Sequence, residues 1–125
     1  MRVGLTLDGG ASWFLPRLVG LRAYELAMTG DLIDAAEAYR LGLVNHVYPE
    51  GQLASEVEAL ARRLAKGAPL ALAAIKTTIN ASLGPSLDAV LEDERIFQRR
   101  LFATADVRDG AMAFIEKRAA RFRGE

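Results

Sequence analysis

Apolar runs along the chain are short and are cut by sharp turn signals. Val3 to Leu7 is an apolar, β-compatible run that stops at Asp8-Gly9-Gly10, a turn signal. Ser12 is placed to cap a short helical piece through Leu18 that ends at Gly20, and Pro16 argues against a long straight helix there. Residues 21–28 predict a second short helix closed by Thr29-Gly30. Asp34 and Glu37 form an acidic version of a capping box ahead of Ala38, Tyr39 and Leu41, with Gly42 as a left-handed stop. Leu43 to Tyr48 is rich in β-compatible residues and ends at Pro49, which predicts a short strand.

Beyond residue 50 the pattern turns helical. Leu53, Val57, Leu60, Ala61 and Leu64 follow helical spacing, and Arg62, Arg63 and Lys66 occupy the last turn, where the helix dipole favours cations. Gly67 and Pro69 close that helix and open the next, which runs from Leu70 to Ser82 with Leu72, Ile75 and Ile79 on one face. Gly84-Pro85 stops it. Ser86 then caps a long helix with Leu87, Val90, Leu91, Phe97 and Leu101 inward. Asp106 is expected to cap a last helix whose stripe is Val107, Ala111, Phe114, Ile115 and Arg118. The fold class expected is mainly α, with one or two residual short strands. These apolar faces exceed what one small core needs, which points to burial against a partner subunit or another segment.

Composition narrows the function classes. A chain of 125 residues has room for one domain. Sixteen basic residues balance sixteen acidic ones, so no overall field invites nucleic acid or an anionic membrane. Without Cys there is neither a disulfide framework nor a thiolate, and one His cannot build a His-rich zinc site. The N-terminus lacks the basic and apolar regions of a signal peptide, and charges interrupt every apolar stretch before membrane-spanning length. The cytoplasm is the default compartment.

Candidate chemistry is sparse. Asp8 lies between an apolar run and a Gly-Gly turn, beside Trp13 and Phe14. A carboxylate set against apolar walls has its charged form disfavoured and is poised for acid/base work; the alternative is that Asp8 binds the turn amides. Gly9-Gly10 before a helix start offers free amides to an anion, or is simply a tight turn. His46 has no Ser or Cys partner suggested by spacing and reads as a structural or surface residue. Glu94 falls on an apolar stripe and is expected in a structural ion pair. Lys117, Arg118, Arg121 and Arg123 gather at the end of the last helix, as its dipole favours, but Phe114 one turn earlier adds an aromatic that suits an adenine with phosphates.

Three blocks together resemble the enoyl-CoA hydratase/isomerase (crotonase) family. Gly4-Leu5-Thr6-Leu7-Asp8-Gly9-Gly10-Ala11-Ser12-Trp13, with Leu15-Pro16-Arg17-Leu18-Val19-Gly20, is similar to the segment that opens the second half of that fold. Thr29-Gly30, Ala35-Ala36-Glu37-Ala38, Leu41-Gly42-Leu43-Val44 and Val47 resemble the next block. Asp106 to Arg118, then Phe122 and Gly124, resemble the C-terminal signature. The match runs through essentially the whole chain in order.

The resemblance implies the C-terminal helical part of a crotonase fold, with residues 1–50 ending the core domain and 51–125 forming a helical trimerisation region. It implies an acyl-CoA thioester as partner, a homo-oligomer (trimer or hexamer), and no cofactor beyond the coenzyme A of the substrate. Family members polarise the thioester carbonyl with two backbone N–H groups, an oxyanion hole that stabilises an enolate-like intermediate. Asp8 matches a position where several isomerases and dehalogenase-like members carry a catalytic Asp. Trp13 and Leu15 match the acyl-pocket region, and Phe114 and Lys117 match positions that reach the adenine and phosphates of coenzyme A, commonly from a neighbouring subunit. The family's two acid/base Glu residues and both oxyanion-hole segments lie upstream of the position matched by Met1. Met1 therefore reads as a truncation, an alternative start, the boundary of an expressed fragment or the mark of a broken gene, and this chain alone is expected to be weak or inactive. Two functions follow: part of an isomerase-type enzyme acting on an enoyl-CoA, or a non-catalytic oligomerisation or acyl-CoA-binding module.

Overall fold

The structure, a computed structural model, describes residues 4–125. Seven helices account for its regular structure: α1 (Ala11–Val19), α2 (Arg22–Thr29), α3 (Ala35–Arg40), α4 (Leu53–Ala65), α5 (Pro69–Ala81), α6 (Leu87–Phe102) and α7 (Ala105–Glu116). The chain divides into two compact units, the first ending at Leu53 and the second running Ala54–Glu125. The mainly helical class expected from the pattern is what the described residues adopt.

In the first unit α1 packs on α2. The N-cap of α1 is Gly10, not Ser12, with φ 83° and no side-chain cap. Pro16 sits inside this nine-residue helix, whose Gly20 N–H bonds back to the Pro16 carbonyl at 2.9 Å. Gly30 ends α2 in the left-handed conformation, as its position after Thr29 predicts. Asp34 caps α3 by accepting the Glu37 N–H at 2.7 Å. Glu37 itself turns to Arg40 at 2.6 Å and lies 3.8 Å from Arg22, so it serves an ion-pair network. The Arg40 guanidinium holds the Glu37 carboxyl below its ordinary range. Ala23 is the buried apolar residue of this unit.

No strand forms among the described residues, so the strand expected at 43–48 is corrected to irregular chain. A strand needs a neighbouring ladder to satisfy its amides, and β-propensity alone does not supply one. The run expected from Val3 begins outside the described residues; its described part, 4–7, is likewise irregular.

In the second unit α5 packs on α6 and α6 on α7. Pro69 occupies the first turn of α5, where its missing N–H costs nothing. Ser86 caps α6 through the Ala89 N–H at 3.4 Å. Ala74 and Ala113 are the buried apolar side chains here, and no large side chain is fully buried. Every residue of α4 is exposed, including Val57 at 54%, although Leu53, Val57, Leu60 and Leu64 form one stripe. The inward faces predicted for α6 and α7 are also partly bare: Leu87, Leu91, Phe114 and Ile115 are exposed, while Val90, Phe97 and Leu101 are half-buried. Helical spacing identifies an apolar face but not the surface that covers it.

Candidate functional site

The first unit carries an open groove of about 780 Å³. Leu5 and Leu7 from the N-terminal segment, Leu15 from α1 and Ala23, Tyr24 and Met28 from α2 form much of its wall. Leu15 is half-buried there. Trp13 and Asp8 do not line the groove.

Asp8 stands in the turn between Leu7 and Ser12, both groove residues. Its main-chain carbonyl accepts the Ala11 N–H at 2.9 Å, and Gly9 and Gly10 follow with φ 57° and 83°, a path open to residues without a Cβ. The side chain is exposed and makes no hydrogen bond or ion pair among the described residues. This corrects two expectations. The apolar walls that would penalise its charge are not packed on it, and the turn is closed by its carbonyl, not by its carboxylate.

The aromatic pair beside it is ordered locally. Trp13 and Phe14 meet edge to face, with centroids 4.7 Å apart. Arg17, one turn on, lays its guanidinium 3.9 Å from the Trp13 ring centroid and donates to the Trp13 carbonyl at 2.7 Å. Trp13 is held in place yet remains 40% exposed.

Phe114 and Lys117 fall together at the end of α7 in the second unit, and both are exposed, Phe114 at 86%. Lys117 ends the helix with a left-handed backbone, φ 54°. The last four basic side chains are not one patch of free cations. Arg118 binds Asp109 at 2.6 Å and Glu116 at 2.7 Å, and Arg123 lies 3.7 Å from Glu125.

Sequence reasoning missed the part Asp106 and Asp109 play. Asp106, 4% exposed, does not cap α7; Thr104 does, accepting the Val107 N–H at 3.2 Å. The Asp106 carboxylate instead accepts the N–H groups of Arg123 at 2.7 Å and Gly124 at 2.9 Å. Asp109 accepts the Arg121 N–H at 2.7 Å beside its pair with Arg118. The main-chain oxygen of Glu125 closes the loop by accepting the Ala105 and Asp106 N–H groups at 2.7 and 3.2 Å, which satisfies two orphan donors of the helix start. Phe122 lies so close to Gly110 that a Cβ there would meet its ring at 3.3 Å. Residues 118–125 are thus clasped along α7. Arg118, and next the Arg121 amide, hold the Asp109 carboxyl below the ordinary carboxylate range.

His46 is exposed with its ring 5.8 Å from that of Tyr48, in line with a surface residue. Glu94 is exposed as well, and the ion pair of its helix is Glu92–Arg95 at 2.6 Å, so the pairing expected for Glu94 is corrected. Three apart, Glu92 and Arg95 face each other on the helix surface. No group of three or more His, Cys, Asp or Glu placed to hold a metal exists among the described residues. No helix among them is long and apolar enough to cross a membrane.

The family model for enoyl-CoA hydratase/isomerase matches residues 1–125. The chain is 38% identical over 125 residues to the 1,2-epoxyphenylacetyl-CoA isomerase of Escherichia coli, covering 99% of this chain and 48% of that protein. It is 38% identical over 121 residues to the crotonyl-CoA hydratase of Syntrophomonas wolfei, covering 96% and 46%. Among solved structures, the enoyl-CoA hydratase of Bacillus anthracis superposes with a TM-score of 0.94 at 33% identity, over 99% of this chain and 48% of that one. The chain therefore spans about half the length of the curated relatives it matches.

Proposed function

The chain belongs to the enoyl-CoA hydratase/isomerase family, and from that premise we propose that it forms the C-terminal part of an acyl-CoA-binding enzyme that moves a proton on an enoyl-CoA thioester. The observation that carries this reading is the Asp8 carboxylate, exposed and unpartnered in a turn whose flanking residues line the groove, within a chain matched by the family from end to end. Asp8 is the acid/base group: its carboxylate takes a proton from a carbon next to the thioester and returns one further along the chain, so the double bond shifts with no net change in atoms. The electron pair released on deprotonation moves onto the thioester oxygen, where two backbone N–H groups stabilise it. Those donors come from segments matching no position in this sequence, so the chain by itself is weak or inactive. Leu15 lines the acyl groove and Trp13 supports it, while Phe114 and Lys117 contact the adenine and phosphates of coenzyme A. No cofactor is needed beyond the coenzyme A of the substrate. Both an isomerase, of 1,2-epoxyphenylacetyl-CoA, and a hydratase, of crotonyl-CoA, are named among the relatives, which supports an acyl-CoA substrate and keeps hydration open beside isomerisation.

A second reading has its own support in the bare apolar stripe of α4 and the exposed apolar residues of α6. In it the chain is a non-catalytic module for oligomerisation or acyl-CoA binding, with residues 51–125 assembling a trimer or hexamer. Calorimetric titration with an enoyl-CoA thioester, followed by a turnover assay with and without the segments that complete the oxyanion hole, separates the two. Saturable binding with turnover only after complementation is expected for the enzyme part. Binding without turnover under any complementation favours an acyl-CoA-binding module, and absence of binding with and without complementation overturns the enzyme reading and leaves oligomerisation as the module's role.

A further inference from the structure

Lys117 is the one non-glycine residue among the described ones with a positive φ, and the eight other positive-φ positions are all glycine. A Cβ in that region crowds the following carbonyl, which is why helices that stop this way usually carry Gly there. A lysine kept at such a position marks strain held against a local preference, and strain of this kind clusters at ligand contacts.

The surroundings show what holds it. The Lys117 N–H donates to the Phe114 carbonyl at 3.4 Å and the Arg118 N–H to the Ala113 carbonyl at 3.0 Å, which closes the helix end around the left-handed residue. Arg118 is then tied by its guanidinium to Asp109 at 2.6 and 3.4 Å, to Glu116 at 2.7 Å and to the Ala119 carbonyl at 3.1 Å. Asp109 also accepts the Arg121 N–H at 2.7 Å, so one carboxylate grips the chain one and four residues beyond Lys117. Asp109 makes no contact with Lys117 itself among these bonds.

We propose that Asp109, acting through Arg118, is a positioning residue that fixes Lys117 in its left-handed conformation and thereby sets where the lysine ammonium meets the phosphates of a CoA thioester. The inference rests on the reading of Lys117 as a coenzyme A contact. It adds a residue with no ligand contact of its own, and it makes binding depend on a clasp within the second unit.

The test is a double-mutant cycle on the full chain, with crotonyl-CoA as probe and calorimetry as readout. Lys117→Ala is expected to weaken binding about tenfold, the loss of one charge-assisted contact. Asp109→Asn is expected to weaken it about threefold or more, and Asp109→Glu to recover part of that loss. With Ala at 117, Asp109→Asn is expected to cost nothing further. A loss of the same size in both backgrounds, or no loss from Asp109→Asn in the parent chain, overturns the proposal. No effect of Lys117→Ala overturns the underlying coenzyme A reading, and the positioning role with it. If Asp109→Asn fails to fold, Lys117→Gly decides. It is expected to raise the melting temperature by relieving the strained backbone while binding falls, and a lowered melting temperature overturns the strain on which the proposal stands.

Discussion

Asp8 in the first unit and the pair Asp106 and Asp109 in the second meet opposite fates. Asp8 in the first unit is exposed, its carboxylate unpartnered among the described residues and its turn closed by its own carbonyl. Asp106 and Asp109 in the second unit are fully engaged, accepting three backbone N–H groups and one guanidinium between them. The residue type is the same, so the difference comes from what the backbone offers. In the Gly9-Gly10 turn no amide among the described residues bonds the Asp8 carboxylate, whereas the returning tail delivers the amides of Arg121, Arg123 and Gly124 to Asp109 and Asp106. A carboxylate consumed by such bonds has little left for chemistry. One left free retains both oxygens for a proton.

That contrast can be broken at the clasp first. Asp106→Ala removes two bonds to a buried charge and strands two N–H groups, so it is expected to cost about 3 kcal/mol, at the upper end for hydrogen bonds to charged groups. Chemical denaturation at neutral pH measures it, and a cost below about 1 kcal/mol would show that the tail is held by other contacts. A smaller effect is expected from acid. The folded-state pKa of Asp109 is depressed by Arg118 and the Arg121 amide. Its contribution to stability is therefore fully present above the unfolded value, about 3.9, and fades as pH falls through the lower folded value. The protection factor of the Arg121 amide, its observed exchange set against the intrinsic rate at each pH, is expected to fall between pH 6 and pH 2 in the parent chain and to be low throughout in Asp109→Asn. A parent tail that stays equally protected at both ends of that range would refute the carboxylate's part in it.

Local signals were legible where the partner is near in sequence. Asp34 and Ser86 cap their helices as their spacing predicts, and Gly20, Gly30 and Gly42 stand at helix ends. Asp106 was misread because Thr104 and Asp106 are both cap-type residues two positions apart. Thr104 takes the cap, since the carboxylate is claimed by amides 17 and 18 residues away, a contact no local pattern contains. The strand at 43–48 failed for the same reason: its β-branched and aromatic residues describe a surface to be paired, and the described chain offers no pairing strand. The α4 stripe was correctly periodic, but periodicity does not say that all of it stays exposed. Among the site residues, Phe114 and Lys117 stand exposed three positions apart at the end of α7. The cation over Trp13 comes from Arg17 at i+4, a spacing visible in the sequence and not drawn upon.

The most direct test is the turnover of an enoyl-CoA thioester by Asp8→Asn, in an assembly that supplies the oxyanion-hole donors. If the free carboxylate is the acid/base group, kcat falls by about 100-fold or more, while thioester affinity and melting temperature stay at parent values because the side chain holds nothing in place. Unchanged turnover would return Asp8 to the turn it occupies and move the proton chemistry to residues outside this chain.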